Sequence, residues 1–167
     1  MSGAAMTEKA YWFVAAVFRE IDDLAAALAK LRAQNVVADG LLVLVAHAGD
    51  IPKKLDYCGS SDVAIATVDR SSDGWQCIAN RGAALGCGLR ELLDAAKSAD
   101  GHGTSSPAAD GKGQSRLYAQ LRQDADEGAN ILVANVANPG EQLSVARIFL
   151  RQKCERVLTH EIAASAC

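Results

Sequence analysis

The hydrophobic residues of this chain fall into two similar groups, one towards each end. Residues 11–18, YWFVAAVF, form an unbroken apolar run. A run this short reads as a strand buried on both faces. Arg19-Glu20-Ile21-Asp22-Asp23 follows, with acids where the positive end of a helix dipole favours them. Ile21, Leu24, Leu28 and Leu31 then recur at helical spacing, while Asp22, Asp23, Lys30 and Arg32 lie elsewhere round the wheel. The pattern predicts a helix ending near Gln34-Asn35, a turn at Asp39-Gly40 and a second strand over Leu41 to Ala46, LLVLVA. Towards the other end, Ile131 to Val136 reads as a strand. Asn138-Pro139-Gly140-Glu141 has the form of a helix start: Asn as N-cap, Pro at the first helical position, Glu at the third to complete a capping box. Leu143, Ala146, Phe149 and Leu150 carry that helix to about Lys153, and Val157 to Ile162 closes as a strand.

Strand, helix, strand thus occurs twice, over 11–47 and 131–162. Two such halves with right-handed crossovers combine into one antiparallel sheet, an α/β (α+β) ferredoxin-like arrangement. Its first strands are central and its second strands lie at the edges. The edge reading suits 157–162, where Thr159 and Glu161 alternate with Leu158, His160 and Ile162.

The halves are separated by a long insert, 48–130. Asp62 to Val68 suggests a short strand, and Arg81 to Ala99 a helix around Leu85, Leu89, Leu92 and Leu93. The stretch 98–115, rich in Gly, Ser and Ala, has no period and reads as a linker. Ser115 as N-cap, Leu117, Tyr118, Leu121 and Gly128 as the residue after the C-cap outline a second helix. A ferredoxin-like sheet carries its helices on one face, yet YWFVAAVF and ILVANV are apolar on both. The second face therefore needs cover, either from the insert or from a second subunit. The insert, with its two helices, is the preferred cover.

Composition narrows the classes of function. A chain of 167 residues, half of them hydrophobic and 22% charged, suits one packed domain. A net charge of −3 and a pI of about 5.6 argue against a nucleic-acid partner. The densest basic segment, Arg147, Arg151, Lys153 and Arg156, lies late in a helix, where cations suit the dipole. No apolar run approaches the roughly 20 residues of a membrane span and no secretory signal is evident, so a cytoplasmic location is expected. The five cysteines, Cys58, Cys77, Cys87, Cys154 and Cys167, are odd in number, widely spaced and without a CxxC pair, as expected of reduced thiols.

Candidate chemistry is sparse. Gly82-Ala-Ala-Leu-Gly86-Cys-Gly88 places glycines inside a predicted helix, where each costs about 1 kcal/mol relative to Ala. Gly82, Gly86 and Gly88 therefore suggest a close packing contact, either within the chain or with a partner or membrane surface. Gly86-x-Gly88 lacks the third glycine of a dinucleotide loop, and Gly111-Lys112-Gly113-Gln114-Ser115 lacks the order of a phosphate loop, so no cofactor is expected. His47, His102 and His160 have no partner at metal-ligand spacing, and no metal is expected. No nucleophile elbow occurs; Cys58 and Cys87 are the thiols best placed to react. His47, Tyr57, Trp75 and His160 are the side chains from which a small-molecule pocket would be built.

The segments YWFVAAVFREIDDLAAALAKLRAQNVVADGLLVLVA and GANILVANVANPGEQLSVARIFLRQKCERVLTHEI, with the Gly82–Gly88 stretch between them, resemble the bacterial general stress (heat-induced stress) protein domain. The resemblance covers about 75 of the 167 residues; residues 48–115 depart from it apart from Gly82–Gly88, which looks like a remnant of the family's glycine-rich middle. It implies a small accessory protein, cytoplasmic or membrane-peripheral, and offers no catalytic residue to carry over. The expected function is accordingly a non-enzymatic, stress-related accessory or regulatory interaction domain, acting on a protein partner or as a homodimer. The alternatives are a sensor or enzyme using a small-molecule cleft, and a membrane-peripheral protein docking through its glycine helix.

Overall fold

A computed structural model describes residues 10–35, 40–57, 63–68, 75–77, 89, 92–93 and 119–163. The described elements are β1 (Ala10–Phe18), α1 (Ile21–Ala33), β2 (Leu41–Val45), α2 (Ile51–Tyr57), β3 (Ala64–Val68), β4 (Trp75–Cys77), α3 (119–126), β5 (Asn130–Val136), α4 (Pro139–Leu150) and β6 (Arg156–Ala163). The strands form one six-stranded sheet in the order β4-β3-β2-β5-β1-β6. Only β2 and β3 pair in parallel; the other neighbours are antiparallel. The architecture is mixed α/β.

β1 and β5 sit beside one another at the centre, as their doubly apolar pattern requires. β6 forms one edge. β2 does not form the other, contrary to expectation: the insert supplies β3, whose Ala64 to Thr67 pair in register with Leu42 to Val45, and β4 beyond it. The run LLVLV is fully buried along its length, a pattern of an interior strand rather than an edge. The short α2 makes the crossover that a parallel pair needs.

Alternation along the strands divides the interior into two cores. On one face Val14, Ala16 and Phe18 of β1 pack with Leu41, Val43, Leu132 and Ala134, beneath Leu24, Leu28 and Leu31 of α1, Leu55 of α2 and Val145 and Phe149 of α4. Phe18 and Phe149 meet edge to face, ring centres 6.5 Å apart. On the other face Phe13, Ala15 and Val17 pack with Leu42, Leu44, Ile131 and Val133, under Leu89, Leu92, Leu121 and Ala125. These four come from the insert, so the chain covers its own second face.

The helix ends follow the local chemistry. The Asn138 side chain accepts from the Glu141 N–H at 2.9 Å, while the Glu141 carboxylate accepts from the Ala137 N–H at 2.9 Å. The expected capping box is present, reaching one residue further back than its usual form. α4 ends at Leu150, short of Lys153. Gly128, at φ +95°, closes α3: its N–H bonds the Ala125 carbonyl and the Ala129 N–H bonds that of Asp124, the Schellman pattern. Asn35, at φ +64°, does the equivalent work after α1.

Gly40 is needed for a different reason. It enters β2 beside β5, and a Cβ there would lie 2.8 Å from the Asn135 carbonyl oxygen, which belongs to backbone and cannot swing away. Gly40→Ala is expected to destabilise the fold by about 1–3 kcal/mol. The check is a lowered denaturation midpoint at unchanged slope; an unaltered midpoint contradicts the account.

Candidate functional site

Two features of the described surface are built well enough to carry chemistry or contacts. The first lies where the parallel strands end. β2 runs into Ala46, His47 and Ala48, and Gly49 at φ +47° turns the chain into α2. The Ile51 N–H bonds back to the Ala48 carbonyl at 2.8 Å and fixes that turn. β3 ends alongside at Thr67 and Val68, and β4 returns antiparallel with Gln76 opposite Thr67. Together Ala46, His47, Ala48, Thr67, Val68, Gln76 and Cys77 line an open cleft of about 390 Å³. The position matches the general tendency of α/β sheets to place ligands outside the carboxyl ends of parallel strands. Among the described residues the lining has apolar walls, an imidazole, a hydroxyl, an amide and a thiol, and no carboxylate, Lys or Arg.

The four side chains expected to build a pocket do not converge. His47 lines the cleft. Trp75 sits next to Gln76 in sequence but is buried in the core opposite Val68. Tyr57 ends α2 with 94% of its surface exposed. His160 is half-buried on β6, across Phe13 of β1. β6 and β2 are separated by two intervening strands, which sets the two histidines about 14 Å or more apart. Thr67, Gln76 and Cys77 were not singled out from the sequence as pocket residues; only the pairing of β3 with β4 brings them to His47.

The second feature is the flank of α4 beside β6. Val145, Ala146 and Phe149 face the sheet, and Ile148 packs into the core shared with α1. Leu143 and Leu150 stand a quarter-turn round the opposite way and are 53% and 67% exposed. With right-handed crossovers, that direction looks out over the β6 edge. The Gln142 side-chain N–H donates to the carbonyls of Phe13 and His160, at 3.1 and 3.2 Å, and holds α4 over the β1–β6 pair. Among the described residues nothing pairs with the outer side of β6.

Ionic contacts brace this end. Arg156, the first residue of β6 rather than part of the helix, pairs with the buried Asp124 of α3, which also accepts from Gln120 at 3.2 Å. Arg19 pairs with Glu155. Within the predicted basic segment the helix-dipole account therefore fits Arg147, in the last turn of α4, and not Arg156. Among the described residues no three His, Cys, Asp or Glu side chains are grouped to hold a metal ion, and no helix is long and apolar enough to cross a membrane. Gly82, Gly86, Gly88, Cys58, Cys87, Cys167, His102 and the stretch 98–115 lie outside the described residues.

No family model, curated protein or solved structure matches the chain.

Cys77 is reachable from the cleft, but desolvation by its neighbours pushes its thiol above the ordinary range. Its thiolate, the reactive form, is thus scarcer near neutrality than in a free cysteine. Site-resolved alkylation with iodoacetamide should run slower at Cys77 in the folded protein at pH 8 than in the denatured chain. The folded rate should also keep climbing with pH beyond the point where the denatured one levels. A faster folded rate at pH 8 refutes the assignment.

Proposed function

We propose that this protein is a non-enzymatic accessory or regulatory interaction domain whose contact surface is the flank of α4 and the open edge of β6. One observation carries the reading: α4, which Gln142 ties to the β1–β6 pair, leaves Leu143 and Leu150 exposed on one flank, and β6 is an edge strand of eight residues. Scattered exposed leucines need no explanation, whereas apolar side chains next to unpaired main-chain donors and acceptors offer both contact area and directional bonds. The likeness of the two halves to the general stress domain family gives the reading a stress-related setting. We further infer that β6-β1-β5-β2, each antiparallel to the next, is a ferredoxin-like unit formed by the two halves, with β3 and β4 as its extension.

A photo-reactive residue placed at Leu143 or Leu150 should form a covalent adduct of defined mass in the cells that make the protein, and one at exposed Tyr57 should not. Absence of adducts from both leucine positions sinks the reading.

A second reading, a small-molecule sensor, is favoured by the cleft at the carboxyl ends of β2 and β3. Its volume falls in the range of small-ligand sites, and the uncharged polar groups of its described lining suit a neutral, hydrogen-bonding molecule. Titration with neutral amide and heterocycle fragments, uracil and nicotinamide among them, should shift backbone NMR signals of His47, Thr67 and Gln76 at millimolar concentration. Silence at all three positions removes this reading.

A further inference from the structure

We draw no further inference here: the strongest candidate, the exposed flank of α4 together with the outer edge of β6, belongs to the surface already described, and nothing in the structure shows what covers it.

Discussion

The structure depends on one constraint: the two central strands must be kept from water on both faces. Val14, Ala16 and Phe18 of β1 face one way and Phe13, Ala15 and Val17 the other, and all are buried. β5 repeats the pattern with Leu132 and Ala134 against Ile131 and Val133. Burying a large apolar side chain stabilises by roughly 1.5–3 kcal/mol, so leaving either face bare would forfeit a sum comparable to the whole stability of a domain. α1 and α4, connecting the strands of each half, cover one face. The other is covered from the insert, by Leu89, Leu92, Leu121 and Ala125.

This cover moves the available surface to the periphery. With both faces of the sheet occupied, the described residues leave open the loops at the ends of β2 and β3 and the outer edge at β6. The loops hold the cleft around His47 and Gln76. On the edge side, Leu143 and Leu150 of α4 are exposed, and β6 has no partner on its outer side among the described residues. Polar contacts act as fasteners between layers: Asp124 with Arg156 joins the insert helix to β6, Gln142 ties α4 to the β1–β6 pair, and the Asn130 side chain donates to the Arg19 carbonyl at 3.3 Å. Because Asp124 is buried, its partner is also what makes that burial tolerable; an unpaired carboxylate there would be strongly destabilising.

Much of the chain was legible before its fold was known. The apolar runs at 11–18, 41–46 and 131–136 and the capping signal at Asn138-Pro139-Gly140-Glu141 each became the element they implied. α2 and β4 went unread for a physical reason. Seven and three residues are too few to establish a period, and Trp75-Gln76-Cys77 has no alternation to distinguish it from a loop. The pocket residues named from sequence shared polarity and aromatic character, which report what a side chain can do and say nothing of where it stands. Trp75 went into the core, Tyr57 to solvent and His160 to the far edge.

The sequence by itself determined the secondary structure of both halves, the need for cover on two faces, and Gly128 and Asn35 as helix stops, because each depends on interactions within a few residues. Only the tertiary structure decided that β2 lies inside the sheet with β3 beside it, that the insert provides the second cover, that Arg156 belongs to Asp124, and that Thr67, Gln76 and Cys77 stand with His47. Those outcomes depend on pairing between segments far apart in the chain. Many such pairings bury similar apolar area, and local pattern does not choose among them.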